Sequence, residues 1–339
     1  MKKRVLHLLA SNNYSGAENV ACTIIDNCDD KYDMYYCSLD GPIRKNLKDR
    51  NINFIPLKRL SPFLINKICK KYNIDIIHAH DYKASFCAAI SGFKGKIISQ
   101  LHVNWEFNSS WNIYTIVYSM IMRRFSKIVV VSKEIVDDAI YVKKDINKFE
   151  IITNVVDKER VLTKSTEFDT KKYDLIFVGR LSDVKRPEMV IDITNRLKER
   201  FPKIKTCIIG KGELEVKCVD MICEYGLEEN VDMIGFVDNP FPYIKNSKVG
   251  LLPSLHEGLP MSVIECMILG VPVLNGGVDG LKTLFSDYPE FICNNVDEYC
   301  EMIQLILNKK KNLNKYCSKI IDDAINMDKY IKKIEKLYK

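Results

Sequence analysis

No stretch of this 339-residue chain offers the ~18 uninterrupted apolar residues of a membrane-spanning helix. The densest candidate, Ile113 to Val131, is broken by Arg123, Arg124 and Lys127. The N-terminus sets Lys2, Lys3 and Arg4 before an apolar run, as a secretion signal does. That run meets Ser11, Asn12 and Asn13 too early and offers no cleavage site, so it reads as a first buried strand. Paired cysteines are missing as well: the twelve run from Cys22 to Cys317 without a Cys-x-x-Cys or a repeating spacing. They read as small apolar fillers in a reducing, cytoplasmic compartment, neither a disulfide framework nor a zinc site. No compact basic-aromatic block marks a nucleic-acid partner. No Asp-x-Asp pattern marks a metal-bound substrate, since Asp29-Asp30, Asp137-Asp138 and Asp322-Asp323 are adjacent pairs. No Ser-His-Asp or Cys-His spacing points to a covalent nucleophile. Neither a metal nor a cofactor is expected.

What is present is ordinary for a soluble chain: 47% apolar and 28% charged residues, over a length comfortable for two domains. The net charge of +7 is uneven. Residues 1–155 hold 23 Lys/Arg against 15 Asp/Glu, a balance of +8, and residues 156–339 hold 28 against 29, a balance of −1. A basic first half suits an anionic membrane surface or a phosphorylated acceptor. It equally suits a solvated lysine-rich face.

Short runs rich in Val, Ile and Tyr alternate with amphipathic stretches. Val5–Leu9, Met34–Ser38, Ile74–His78, Lys96–Gln100 and Lys127–Val131 read as strands, with helices at Ala17–Asp26, Pro62–Lys71 and Asn112–Phe125. After a charged, weakly apolar segment, Thr153–Lys172, the pattern restarts. Asp174–Val178, Lys205–Gly210, Val231–Gly235, Val249–Pro253 and Pro272–Asn275 are strand-like, and Pro187–Arg200 and Leu214–Tyr225 helical. This alternation predicts two α/β, doubly wound, Rossmann-like domains with parallel sheets, facing across a cleft that is the default ligand site. The expected domains are 1–155 and 156–321. A final helix near 322–339, with Ile325, Tyr330, Ile331, Ile334 and Leu337 at helical spacing, packs on one of them.

The most informative segment runs from Val249 to Gly277. A buried strand ends at Pro253, and a loop carries Glu257 and Gly258. Pro260 falls where the first helical residue is expected, and Gly270 with Pro272 stops the helix. Gly258 permits close approach of a ligand to the backbone. The free amides around Leu259, Met261 and Ser262, with Pro260 opening the helix and with the helix dipole, form an anion site. Glu257 and Glu265, eight positions apart, border that site and can accept hydrogen bonds from hydroxyls. In Leu175-Ile-Phe-Val-Gly-Arg-Leu-Ser-Asp-Val-Lys, Arg180 and Lys185 bracket a loop entering a helix near Pro187. Cations there are unfavourable by roughly 0.3–1 kcal/mol each unless a polyanion lies between them and the amides. A third loop, Leu8 to Glu18, puts Gly16 at the mouth of a helix. His102 follows a strand. His78 and His80 could ligate a metal, but no third ligand stands at a recognisable spacing, and His7 and His256 read as structural or peripheral.

The segment from Glu257 to Glu265 resembles the E-x7-E element of the family 4 retaining glycosyltransferases, which have the GT-B fold. The likeness covers nearly the whole chain, and this element is its most specific part. It implies that Glu257 contacts a donor sugar and Glu265 the nucleotide ribose, with Gly258 to Ser262 facing phosphate and sugar. Gly179-Arg180-Leu181 with Lys185 is similar to the family's G-R-L-x3-K motif, whose Arg and Lys hold the diphosphate. Ile208 to Glu213 resembles its I-G-x-G turn, which implicates Gly210. Ile234-Gly-Phe-Val resembles the strand end along the nucleotide base, which implicates Phe236. The N-terminal loop is similar to a G-G-x-E element; Ser15 stands for its first glycine, so only Gly16 is carried over. Thr153 and Val155 depart from the interdomain P-N-G-V-D element, which retains Asn154. The family places a His near the reacting end of the donor sugar, a role that falls to His102.

The implied activity is transfer, with retention, of a hexosyl or N-acetylhexosaminyl unit from a UDP-sugar to a glycan acceptor. That acceptor is lipid-linked, at the inner face of the plasma membrane, in surface polysaccharide synthesis. Two rivals stand beside it: a sugar-nucleotide 2-epimerase, and a non-catalytic subunit of the same fold that binds glycan or nucleotide.

Overall fold

The computed structural model describes residues 2–28, 30–103, 105–257 and 259–339. Among them no helix is long and apolar enough to cross a membrane. Among the described residues no cysteine forms a disulfide, and all but Cys87 and Cys223 are buried. The chain divides into two compact units, Met1–Val155 with Asn326–Lys339, and Val156–Ile325.

In the first unit the strands are β1 (Lys3–Leu8), β2 (Tyr32–Leu39), β3 (Phe54–Leu57), β4 (Ile76–His80), β5 (Lys96–Leu101), β6 (Lys127–Val130) and β7 (Phe149–Ile151). They form one parallel sheet in the order β3-β2-β1-β4-β5-β6-β7. Helices α1 (Gly16–Cys28), α2 (Ile43–Asp49), α3 (Pro62–Tyr72), α4 (Asp81–Ile90), α5 (Ile113–Ile121) and α6 (Lys133–Asp138) connect them. The central strands are buried on both faces, which explains their unbroken apolar runs, with Leu6, Leu8, Ile77, Ile97 and Ile128 in one core.

The pattern in the sequence passes over β3 and β7 because both are short edge strands. β3 carries Pro56 opposite Ser38, a residue tolerated only where a ladder bond can be lost. β4 starts two residues later than expected. Asn73 takes a left-handed conformation (φ 49°) after α3, and the Ile74 amide donates back to the Cys69 carbonyl at 2.9 Å, so Ile74 closes the helix. The helix expected over Asn112–Phe125 is α5 followed by a 3₁₀ turn, Met122–Arg124, with Asn112 and Thr115 forming a capping box.

The second unit holds β8 (Tyr173–Val178), β9 (Thr206–Ile209), β10 (Val231–Gly235), β11 (Ser247–Leu252) and β12 (Val273–Asn275), parallel in the order β10-β9-β8-β11-β12. Its helices are α7 (Lys158–Lys164), α8 (Pro187–Lys198), α9 (Glu215–Glu224), α10 (Phe241–Lys245), α11 (Met261–Ile268), α12 (Asp279–Leu284), α13 (Val296–Leu307) and α14 (Asn314–Ile321). The Thr153–Lys172 segment is not a bare connector: Asp157 caps α7 by accepting from the Arg160 amide at 3.0 Å.

The expected terminal helix is also cut. Asp322–Ile325 is a 3₁₀ turn with Ile325 against the second core. Asn326 then caps α15 (Met327–Tyr338) through the Lys329 amide at 3.0 Å. α15 belongs to the first unit. It buries Tyr330, Ile331, Ile334, Leu337 and Tyr338, each large apolar side chain contributing roughly 1.5–3 kcal/mol. Lys3 donates to the Tyr338 carbonyl at 3.0 Å, and Lys31 pairs with Glu335 at 2.6 Å.

Candidate functional site

In an open parallel sheet, ligands bind beyond the carboxyl ends of the strands where the winding reverses. In the second unit that place lies between β8 and β11, and both informative motifs sit there. β8 runs out into Gly179, Arg180 and Leu181. The amides of Lys185 (2.9 Å) and Arg186 (3.0 Å) then fold back onto the Ser182 carbonyl. Arg186, at φ 52°, turns the chain into α8, whose first residue is Pro187. β11 runs out into the 253–260 loop, and the Leu255 amide fastens this loop to the Val184 carbonyl at 2.8 Å. That backbone bond places the Lys185 ammonium in a direct ion pair with the Glu257 carboxylate. The pair is well covered, with side-chain exposures of 25% for Lys185 and 6% for Glu257. Two residues 72 apart in sequence thus meet at the switch point.

Glycines let the neighbouring strand ends crowd together. Gly210, at φ 143°, donates its amide to the Gly235 carbonyl at 2.9 Å, and a Cβ on it would stand 1.8 Å from the Gly179 carbonyl oxygen. Only glycine fits there. A Cβ on Gly212 would likewise stand 2.2 Å from the Leu181 oxygen. The Gly179–Leu181 and Gly210–Gly212 backbones are in contact, joined by the Leu181 amide donating to the Lys211 carbonyl at 3.1 Å. Phe236, just past β10, is exposed.

α11 starts one residue later than the proline suggests. Pro260 has extended backbone (φ −70°, ψ 122°) and is the cap, and Met261 is the first helical residue. Pro260 makes no side-chain cap bond to the helix, and its first-turn amides are those any helix leaves without an internal partner. Leu259, Met261 and Ser262 are half-buried here, and Pro260 is buried. Gly258 lies outside the described residues. Glu265, on the second turn of α11, is half-buried. Desolvation pushes its carboxyl up to about 7, against the pull of Arg160 on α7. Arg180 is mostly exposed, and its guanidinium lies 3.5 Å from Glu213.

The first unit has its own switch point, between β1 and β4. Gly16 opens α1, but a Cβ there would meet open space, so the fold itself does not demand glycine at this position. Glu18 is buried beside it and accepts a hydrogen bond from Ser15; burial raises its carboxyl, with the Asp81 charge adding to the rise. Asp81, absent from the sequence-level site, begins α4 in a left-handed conformation (φ 61°), unusual for a residue with a Cβ. Its Oδ1 accepts the His102 backbone amide at 3.0 Å.

His102 joins a group of histidines that spacing alone does not reveal. β1 pairs with β4 so that His7 lies opposite His78, and His80 is two residues on, on the same face. One ring nitrogen from each of His7, His78 and His80 lies within 4.8 Å of the other two, so His7 is the third member that the sequence leaves out. Burial lowers His7 to about 3 and holds His78 and His80 well below the usual imidazole value. His102 is lowered too, with Asp81 opposing the shift.

Two doubly wound parallel sheets, each with its motifs at the switch point, make this a GT-B fold. Its backbone resembles Anabaena HepE in complex with UDP and glucose (TM-score 0.83, 17% identity, 98% of each chain). The chain belongs to the glycosyl transferases group 1, whose family model matches residues 158–327. The model of Glycosyltransferase Family 4 matches residues 15–160. Among relatives, the chain is 25% identical to the capsular polysaccharide biosynthesis glycosyltransferase CapH of Staphylococcus aureus, over 96% of each protein. It is also 25% identical, over 85% of each, to the N-acetylgalactosamine-N,N'-diacetylbacillosaminyl-diphospho-undecaprenol 4-alpha-N-acetylgalactosaminyltransferase of Campylobacter jejuni. The protein is a glycosyltransferase.

Proposed function

We propose that the protein moves a hexosyl or N-acetylhexosaminyl unit from a UDP-sugar to a lipid-linked glycan, with retention, in surface polysaccharide synthesis. The observation that carries this reading is the meeting of Lys185 and Glu257 at the β8–β11 switch point, beside the start of α11. In the protein alone the two charges compensate each other. A diphosphate laid against the first-turn amides of Met261 and Ser262 is a stronger partner for Lys185 than one carboxylate, and the helix dipole favours it. Glu257, released from that pair, accepts hydrogen bonds from the hydroxyls of the donor sugar. Glu265 receives the ribose hydroxyls, Gly210 and Phe236 border the base, and Leu259 gives close access to the phosphates, a part the family resemblance also assigns to Gly258.

Arg180 turns from Glu213 to the diphosphate, and with Lys185 it stabilises the charge that develops on the leaving group. No metal is required of this arrangement. The leaving phosphate oxygen helps take the proton of the acceptor hydroxyl, so that C–O cleavage and C–O formation occur on one face of the sugar. His102 serves the reacting end of the donor sugar, and Gly16 the nearby backbone approach.

The relative from Campylobacter jejuni, named for an acceptor on diphospho-undecaprenol, supports a lipid-linked acceptor. HepE with UDP and glucose supports the nucleotide. The surface of the first unit supports a peripheral site on an anionic membrane face. Trp105, Trp111, Ile113, Tyr114, Ile116 and Met120 are exposed, as are Arg123 and Arg124 just after them in the chain and Lys143 and Lys144 farther on, with the Lys144 ammonium 5.2 Å over the Trp111 ring. Aromatic and basic side chains together suit a headgroup layer. Thermal-shift titration with UDP, GDP, ADP and their sugar conjugates tests the donor. Stabilisation by UDP-sugars, with slow acceptor-free hydrolysis, is expected. No stabilisation by any nucleotide, or conversion of the sugar to its epimer, sinks the proposal.

A further inference from the structure

The histidines of the first unit are connected end to end. The His102 Nε2 lies 2.8 Å from the His80 Nδ1, and the His80 Nε2 lies 3.0 Å from the His7 Nδ1. The His7 Nε2 lies 3.3 Å from the Tyr338 hydroxyl, which lies 2.8 Å from the His78 Nδ1. His7, His78, His80 and Tyr338 are buried. At the two ends, the His102 Nδ1 and the His78 Nε2 are covered and make no hydrogen bond of good geometry among the described residues, although Gln100 stands close enough to His78 to oppose the fall of its pKa.

Proton counting restricts this chain sharply. Each neutral imidazole brings one N–H and one lone pair, so four rings and one phenol bring five protons to four links. When every link is made, the fifth proton sits on one end or on a Tyr338 hydroxyl turned out of the chain. In one arrangement His78 donates to Tyr338, which donates to His7, then His80, then His102, leaving an N–H at the His102 Nδ1. In the other every bond reverses, and the His102 Nδ1 is a bare acceptor. Tyr338, whose oxygen has two lone pairs, can also accept from both His78 and His7; this again leaves the His102 Nδ1 bare, so that nitrogen carries its proton only when Tyr338 donates to His7, and breaking any link leaves buried polar atoms unpaired.

We propose that His7, His80 and Tyr338 are positioning residues that set which nitrogen of His102 carries its proton, through this buried chain to the C-terminal helix. No proton passes along the chain: shifting the four link protons alone would leave His78 an anion and His102 a cation in the core, so each arrangement is held as it forms. The neutrality that burial imposes on these rings keeps the count at five. A metal ion on His7, His78 and His80 is the competing use. It would have to take lone pairs that the His7–His80 and Tyr338 links already occupy.

The idea rests on the proposed place of His102 at the reacting end of the donor sugar, and the test separates the two. The ring ¹⁵N resonances of histidine-labelled protein report each tautomer directly, without any substrate. Tyr338→Phe removes one hydroxyl from the chain. The expected result is a change in the Nδ1 and Nε2 shifts of His102, three links away, and a fall in kcat of tenfold or more with the donor KM within twofold. His7→Asn, whose amide replaces only the Nδ1 link, should move the same resonances if Tyr338→Phe folds poorly. Unchanged His102 resonances in both variants overturn the proposal whatever the activity. So does a stoichiometric metal in the purified protein whose chelation alters the histidine spectrum. Shifted resonances with a fully active His102→Ala would instead uphold the chain and remove His102 from the reaction.

Discussion

Glu265 offers a pH experiment whose sign and size both follow from its surroundings. Desolvation lifts its carboxyl from an ordinary 4.5 to about 7, with Arg160 opposing only in part. The folded state therefore binds a proton that the unfolded state has released across the window from 4.5 to about 7. Stability from this group is fully present below pH 4.5, declines through that window, and stays lost above it. At about 1.4 kcal/mol per pH unit the loss is roughly 3 kcal/mol. That is an upper bound, because part of the side chain remains exposed.

Glu265→Gln keeps the shape and removes the titration. It is expected to melt several degrees above the wild type at pH 8.5 and together with it at pH 4.5. Nucleotide binding should show the opposite trend. Ribose hydroxyls bond best to the ionised carboxylate, so wild-type affinity should rise about tenfold from pH 6 to pH 8 as a group near 7 ionises. The Gln variant binds weakly and without that slope, and because the nucleotide's own titration is common to both proteins, the difference isolates Glu265. Parallel melting curves for the two proteins across pH 4.5–8.5 would refute the reasoning, whatever the activity.

Three further outcomes are expected. Lys185→Ala takes the ammonium from the covered Glu257 carboxylate, so it should lower stability by about 1–3 kcal/mol and transfer by at least about 100-fold; adding Glu257→Ala should restore stability but not transfer, and an active single variant would remove Lys185 from the site. Gly210→Ala drives a Cβ to 1.8 Å from the Gly179 oxygen at φ 143°, costing about 3 kcal/mol or more in denaturant melts and weakening UDP binding; unchanged melts would disprove the close approach. Cosedimentation with anionic vesicles should fall on raising salt to 0.5 M and about fivefold per substitution in Lys143→Glu or Lys144→Glu, at about 1 kcal/mol each; equal binding to neutral vesicles would rule out the basic, aromatic face as the cause.

Much of the fold was legible because buried parallel strands write themselves as unbroken apolar runs. β1, β2, β5, β6 and the strands from β8 to β12 all stand within about two residues of their expected places. The exceptions have local causes. β3 hides behind Pro56, β7 spans three residues, and Asn73 draws Ile74 out of β4. Turn chemistry at single residues decides such boundaries, and periodicity does not report it.

The two loop motifs of the second unit were legible as turns at strand ends because glycine, proline and paired charges there have few other uses. Gly210 bears this out most sharply, through a left-handed φ and a carbonyl where a Cβ would be. Gly16 shows the limit of the same reasoning, since its surroundings would admit a side chain.

The sequence by itself determined two parallel α/β units and the residues at the switch point of the second, because both depend on local spacing along strands and the loops that follow them. Tertiary structure alone decided who meets whom. The Leu255–Val184 backbone bond brings Lys185 onto Glu257, and the pairing of β1 with β4 sets His7 against His78. α15 returns from the far end of the chain to join Tyr338 to both. Strand register and helix docking relate residues dozens to hundreds of positions apart, and no spacing in one chain records them.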